Sequence, residues 1–392
     1  MSWFLSKSRG RFSVAVVCSL AAIVLLAASA RADEPFRYAA GKQGSGQLKL
    51  IEGLPVIVAT GTPDEMGQQI GALSAPALQS LFAHQKQLAN GFGISQAKPI
   101  WSAAGSIMLP RFPANERQEL DAMAKASGMD SDLLVFANVM YDWSRLGGCS
   151  AQMVEPARSA TGGMLFGRDF DFPTFGFLDQ YSLVVVYRAR GKHAFASVTF
   201  PGLVGVVSGI NDAGLCLAEL EVHRSKDDAP GFDPSGVPVE MCFRRMLEEC
   251  GSLDEAEKLL RSLKPSTMCN LAICDRKTAA VLEITPRHVV RRGAVDNVCS
   301  CTNHFRSAEL GMSKFCWRYD RLDQGIRAKS KLGLADMTKQ MDAVNQGHLT
   351  IQTMIFAPEE KGLYLSFGPA PSSAQRLKRL DLAALFGDTS VK

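Results

Sequence analysis

The run Gly147-Gly148-Cys149-Ser150, followed by Gly167-Arg168-Asp169-Phe170-Asp171, constrains this chain more than any other feature. A cysteine preceded by a residue without a side chain can attack the carbonyl before it, cut the backbone and become the first residue of a new chain. The α-amine so released has a reference pKa of about 7.7–8.0, suited to a base near neutral pH, and needs no histidine to take the thiol proton. On the Gly-Gly-Cys run alone, an ordinary partly buried cysteine after a flexible turn is the better explanation. The surrounding sequence has to decide.

With 392 residues, 46% of them hydrophobic and 8% aromatic, the chain can fill one large core or two ordinary ones. Lys7, Arg9 and Arg11 precede an apolar stretch from Phe12 to Ala28, with small-x-small sites at Ala28-Ser29-Ala30 and Ala30-Arg31-Ala32. This predicts a signal peptide over residues 1–32, cleaved after Ala32. An uncleaved anchor is the alternative, because the stretch approaches the length that spans a bilayer. No other segment is apolar enough over that length, so no stable membrane span is expected after signal removal. Residues 1–32 hold four of the 43 basic residues and no acid, leaving 39 basic against 39 acidic. That balance offers no basic patch for nucleic acid or anionic lipid. The lack of any Asn-x-Ser/Thr sequon points to a bacterial exported protein, periplasmic or secreted.

Besides Cys149, the expected mature chain carries Cys216, Cys242, Cys250, Cys269, Cys274, Cys299, Cys301 and Cys316. An even number in an oxidising compartment permits disulfides, and the clustering after residue 215 suggests at least one bridge, with buried free thiols as the alternative.

Residues 33–48 read as an exposed lead-in. Thr62-Pro63-Asp64-Glu65 combines an N-cap, a first-turn proline and a capping-box glutamate. From there to Trp143 the pattern is mostly helical, with helices over Asn115–Ser127 and one capped by Ser131. After Cys149 short strand-like runs take over at 164–166, 182–187, 194–200 and 215–221. Two helices follow, Val239–Cys250 and one capped by Ser252 with Glu255 three residues on. Strands return at 270–274, 280–284 and 288–291, helices at 314–328 and 335–344, and strands at 351–356 and 363–367. Strand runs interrupted by paired helices predict an α+β fold with antiparallel sheets. Because no Pro/Gly/Ser linker precedes Cys149, the helical segment is expected to wrap the β-rich part as one unit.

No Gly-x-Ser-x-Gly elbow, His-Glu-x-x-His helix, dinucleotide fingerprint or Walker loop occurs. A thiol protease with His193, His223 or His304 as base has no local signature to support it. Cys299-x-Cys301-x-x-His304 lacks the second ligand pair a zinc site needs, so no metal is predicted.

Five motifs in order then favour the functional reading. Gly-Cys-Ser at 148–150, Gly-Arg-Asp-Phe-Asp-Phe at 167–172, Thr-Phe-Pro-Gly-Leu-Val-Gly at 199–205, Gly-Leu-Cys-Leu-Ala-Glu-Leu-Glu at 214–221 and Cys-Thr-Asn-His-Phe at 301–305 resemble the N-terminal nucleophile (Ntn) hydrolases of the acyl-CoA:isopenicillin N acyltransferase type. Related patterns occur in N-acylethanolamine acid amidase, acid ceramidase and choloylglycine hydrolases, and residues 61–71 also look like the family's prosegment.

The resemblance implies a four-layer αββα sandwich and self-cleavage between Gly148 and Cys149. The products are a prosegment, residues 33–148, and a catalytic segment, residues 149–392, which stay associated. Cys149 is then the nucleophile, Arg168 the cation that lowers its pKa, Asp171 the carboxylate that receives the new α-ammonium, and Asn303 the oxyanion donor. Glu221 aligns with an acidic residue of the amidase and ceramidase branches. Asp169 stands where relatives commonly have Asn and is expected to alter the charge balance at the nucleophile. The implied reaction is hydrolysis of a linear acyl amide through a cysteine thioester, without cofactor or metal. Acyl transfer to an amine, or a non-catalytic exported binding protein on the same scaffold, are the alternatives.

Overall fold

A computed structural model describes residues 35–91, 98–143, 146–312, 315–327 and 329–387. The signal peptide expected over residues 1–32 lies outside the described residues.

Three strands come first: β1 (Gly41–Gln43), β2 (Gly46–Ile51) and β3 (Leu54–Gly61). Helices α1 (Pro63–Gly91), α2 (Lys98–Met108), α3 (Ala114–Ser127), α4 (Ser131–Ala137) and α5 (Met140–Trp143) follow. The capping box at the start of α1 is present: Thr62 N–H donates to Glu65 Oε2 at 2.7 Å, and Glu65 N–H to Thr62 Oγ1 at 3.3 Å. Gly128 ends α3 in the left-handed conformation at φ 70°. The cap of α4 is Asp130, one residue before the expected Ser131; its carboxylate accepts from Asp132 N–H.

Strands β4 (Gly148–Val154), β5 (Leu165–Asp171), β6 (Leu183–Ala189), β7 (Phe195–Thr199), β8 (Ser208–Asn211) and β9 (Cys216–Glu221) lead to α6 (Val239–Glu249) and α7 (Leu253–Ser262). Then come β10 (Cys269–Cys274), β11 (Ala279–Ile284), β12 (Val289–Gly293) and β13 (Val298–Cys301). Helices α8 (Trp317–Arg327) and α9 (Leu334–Asp342) precede β14 (Thr350–Ala357), β15 (Gly362–Phe367) and β16 (Lys378–Asp381).

These strands form a ten-stranded sheet, in the order β1-β2-β3-β6-β7-β8-β9-β10-β11-β12, and a six-stranded sheet, β13-β4-β5-β14-β15-β16. The burial pattern stacks them. Val184, Val186, Ala218 and Ala272 of the large sheet share one core with Ala151, Phe166, Met354 and Phe356 of the small one. On the far face of the large sheet, Leu183, Val185, Leu217 and Leu271 pack against Met66 and Ile70 of α1, Met123 of α3 and Phe243 and Leu247 of α6. The far face of the small sheet packs Leu165 and Ile355 against Met337 of α9. Two sheets face to face with helices outside make the αββα sandwich. The strand at 183–187 is a continuous apolar run because both its faces are covered.

Two features differ from the sequence reading. Within the lead-in expected over 33–48, residues 41–43 and 46–48 lie in β1 and β2 of the large sheet, and β3 follows before the first helix. Strand β3 pairs with β6 in parallel, so that sheet is not wholly antiparallel. Leu54-Pro-Val-Ile-Val-Ala-Thr is a β-branched run buried on both faces, a pattern that lacks the alternation of a half-exposed strand. The nine cysteines from Cys149 onward are all buried free thiols, so the bridge expected after residue 215 is absent. Cys216 and Cys274 lie opposite each other on β9 and β10 and serve as small core side chains.

Candidate active site

Cys149 is the second residue of β4, the strand next to the small sheet's edge strand β13. In the β4/β5 register Cys149 faces Phe170 and Ala151 faces Arg168, so all four point into the core between the sheets. Gly148 and Ser150 pair with Asp171 and Asp169 on the opposite face. Arg168 and Asp171 therefore project from opposite faces of β5, the strand beside Cys149.

Arg168 is fully buried. Its Nε donates to Ser208 Oγ of β8 at 2.6 Å, crossing the inter-sheet core, and its guanidinium lies 5.2 Å from the Phe170 ring centre. Its charge acts on the Cys149 sulfur in the expected direction, downward in pKa, but burial of the thiol is the larger influence. The outcome is a Cys149 pKa pushed up to about 11, with Asp171 and Glu219 also raising it and the Asp171 backbone N–H lowering it. The thiol is 1% exposed and protonated at neutral pH in the uncleaved chain.

The backbone around the Gly148–Cys149 bond is held from several sides. Gly147 N–H donates to Glu221 Oε2 at 2.9 Å, and Cys149 N–H donates to Asn303 Oδ1 at 2.7 Å. Asn303 Nδ2 donates to the Glu221 carbonyl at 2.9 Å. Two expected roles therefore take another form in the uncleaved chain. The Asn303 amide NH2, expected at an oxyanion, is engaged with Glu221. The amide nitrogen of Cys149, expected to meet Asp171, is held by Asn303.

Asp171 is fixed by Thr350 Oγ1, which donates to Oδ1 at 2.5 Å, and by Gln346 Nε2, which donates to Oδ2 at 2.6 Å. Burial raises its pKa, while those two donors and Arg318 oppose the rise. Asp169 does not reach the nucleophile. It lies on the face of β5 away from Arg168, where Thr353 Oγ1 donates to it at 2.7 Å, and burial followed by the Asp171 charge pushes its carboxyl well above the usual range.

Sequence reasoning missed Arg318, at the start of α8. Its Nη1 donates to the Cys149 carbonyl and, at 3.1 Å, to Ser150 Oγ; its Nη2 donates to Asn303 Oδ1 at 2.9 Å. The same Nη1 is 4.0 Å from Asp171 Oδ2. Gln346 was missed too: a Cβ on Gly148 would stand 2.3 Å from its Nε2, so the side chain lies against Gly148. Of the three histidines weighed as bases, His193 pairs with Asp212 at 2.6 Å, and His304 is half-buried with its pKa lowered by burial and then by Arg318.

The family model of acyl-coenzyme A:6-aminopenicillanic acid acyl-transferase matches residues 158–370, more than half of the chain. The chain belongs to this family. That family is one of Ntn hydrolases. The matched span contains Arg168, Asp171, Glu221, Asn303, Arg318 and Gln346, while Cys149 precedes it.

A curated relative, an uncharacterized protein of Archaeoglobus fulgidus, is 22% identical over 395 residues, covering 83% of this chain and 62% of that protein. The chain thus spans less than two thirds of that relative's length. Among solved structures, a mutant conjugated bile acid hydrolase from Clostridium perfringens is similar with a TM-score of 0.43 and 16% identity, covering 60% of this chain and 94% of that one. The Caenorhabditis elegans N-acylethanolamine-hydrolyzing acid amidase ortholog gives 0.43 and 14%, covering 59% and 100%. Penicillin V acylase from Agrobacterium tumefaciens gives 0.42 and 14%, covering 60% and 92%.

Proposed function

We propose that this member of the acyltransferase family is an exported, self-processing enzyme whose Cys149, once N-terminal, cleaves a linear acyl amide through a thioester. The observation that carries this reading is the set of side chains gathered on the backbone of residues 147–149: Glu221 on the Gly147 nitrogen, Asn303 on the Cys149 nitrogen, and Arg318 on the Cys149 carbonyl, with Arg168 beside the sulfur. A structural cysteine has no use for all four.

In processing, the thiol gives up its proton, the sulfur attacks the Gly148 carbonyl, and the C–N bond breaks as the Cys149 nitrogen takes up a proton. Water then hydrolyses the thioester, freeing the Gly148 carboxylate and the Cys149 thiol. Turnover repeats this chemistry on a substrate amide: the α-amine takes the thiol proton, the amine product leaves protonated, and water accepts the acyl group. An amine acceptor in place of water gives acyl transfer, the second reading, favoured by the family's own description. No step calls for a metal or cofactor. Export to the periplasm or medium rests on the signal-like residues 1–32.

The two segments are proposed to stay together. Strand β3 lies inside the large sheet beside β6, and Glu119 of the prosegment forms a buried two-point pair with Arg244 of the catalytic segment. A panel of acyl amides sharing one reporter amine tests the activity. Cys149→Ala should abolish release of the amine, and variants of His193, His223 and His304 should retain it. Turnover that survives Cys149→Ala and disappears with one histidine overturns the proposal.

A further inference from the structure

Asn303 sits in a segment without regular structure between β13 and α8, so its backbone polar groups need partners other than a ladder or a helix. Two fully buried side chains, Asn270 of β10 and Glu283 of β11, supply them. They are directly opposite each other in the β10/β11 register and so stand side by side on one face of the large sheet. Asn270 Nδ2 donates to the Thr302 carbonyl at 2.8 Å and to the His304 carbonyl at 3.0 Å, the two residues flanking Asn303. A carbonyl cannot donate, so only the NH2 end of Asn270 fits there, and both its hydrogens are used. Glu283 Oε1 accepts from Arg306 N–H at 2.7 Å, and Ser307 N–H reaches Oε2 at 3.0 Å. Arg292 Nε, 3.5 Å from Oε1, supplies the countercharge that a buried carboxylate requires.

We propose that Asn270 and Glu283 are positioning residues for the reaction: together they fix the backbone of 302–307 so that the Asn303 amide is aimed at the Cys149 nitrogen and the Glu221 carbonyl. Neither touches Cys149, and both act through Asn303. This rests on the reading of Cys149 and Asn303 given above. The pairing is specific to the geometry: a loop slipped by one residue leaves Asn270 facing an N–H and Glu283 facing a carbonyl, both repulsive.

The test is Asn270→Asp, which keeps the shape, removes both donors and sets a second carboxylate beside Glu283. Glu283→Gln, which keeps one accepting oxygen, provides the same measurement where the first variant fails to fold. Each is made in the wild-type chain and in an Asn303→Ala background, following the rate of chain cleavage and, on processed enzyme, kcat and KM for an acyl-amide reporter. Asn270→Asp is expected to lower cleavage and kcat by up to about 100-fold with KM within about twofold, the signature of a misplaced catalytic group. In the Asn303→Ala background neither substitution should lower kcat further. A loss of equal size in both backgrounds, or no loss in the wild type, overturns the proposal. Cys149→Ala run alongside separates the two claims: turnover independent of Cys149 overturns the underlying reading, whereas Cys149-dependent turnover with an undiminished Asn270 effect in Asn303→Ala overturns the positioning alone.

Discussion

The backbone nitrogen of Cys149 donates to Asn303 Oδ1 at 2.7 Å, so the atom that would leave in the proposed self-cleavage is in the grip of a residue 154 positions downstream. Asn303 also accepts from Arg318 and donates to Glu221, which fixes its amide with the oxygen toward two donors and the nitrogen toward an acceptor. Asn303→Asp keeps the oxygen and loses the donor. Losing this donor to the Glu221 carbonyl should slow cleavage of the newly folded chain several-fold, up to about tenfold, on the scale of about 0.5–1.5 kcal/mol for one hydrogen bond. A time course of intact mass reads the result directly.

The acidity of the nucleophile sets a second expectation. Burial holds the Cys149 thiol at about 11, above its ordinary value, so the thiolate is a minor species at every pH below that and grows tenfold per unit as pH rises. The cleavage rate should climb with a slope near one on a logarithmic scale between about pH 6 and 9. Arg168 acts to lower the thiol pKa, and removing it raises that pKa further and reduces the thiolate share at any fixed pH. Arg168→Leu should therefore cleave more slowly throughout that range, and an equal rate would show that the guanidinium does not activate the sulfur.

Gly148 is a close approach rather than a turn. A Cβ there meets the end of a flexible side chain, Gln346, which can swing aside, so Gly148→Ala should fold with little loss of stability. The same swing takes Gln346 off Asp171 Oδ2, now 2.6 Å away. Cleavage should fall about tenfold or more, in line with about 1.5–3 kcal/mol for a hydrogen bond to a charged group. Gln346→Ala should reproduce the effect, and the double variant should be no slower than either.

These relationships were unevenly legible in the sequence. Cys149, Arg168, Asp171 and Asn303 stand in short motifs, and each is buried or half-buried near Cys149. Glu221 was less secure in the sequence and turns out to touch both Gly147 and Asn303. Asp169 stands beside Arg168 and Asp171 as the motif implies, but on the Asp171 face of the sheet, because a strand sends alternate side chains to opposite faces. Arg318 lies on the helix expected over 314–328 and Gln346 just beyond the one over 335–344, but neither stands in a motif. Only the packing of α8 and the turn before β14 brings them to β4, and nothing local marks that. Strand β3 escaped notice because a run covered on both faces has no alternation to detect.

The link between segments gives a fourth expectation. Arg244 of α6 is 1% exposed and meets Glu119 of α3 through Nη1 at 3.1 Å and Nη2 at 2.6 Å, with Glu248 2.8 Å from its Nε and the Tyr187 ring 4.6 Å away. Removing one partner leaves a buried charge uncompensated, a loss of about 3–5 kcal/mol. Arg244→Met should lower the urea midpoint of the chain and, after cleavage, weaken retention of residues before Cys149 by an affinity tag on the C-terminal segment. Unchanged retention would place the hold between segments elsewhere, in the β3/β6 pairing.

The most direct test of the account is the intact mass and N-terminal sequence of the purified protein beside Cys149→Ala. The account predicts a wild-type C-terminal fragment that begins at Cys149, held to a partner fragment ending at Gly148, and a variant that stays whole between those residues. A wild-type chain that hydrolyses acyl amides with Cys149 still internal, or a Cys149→Ala chain cut at the same bond, would contradict it.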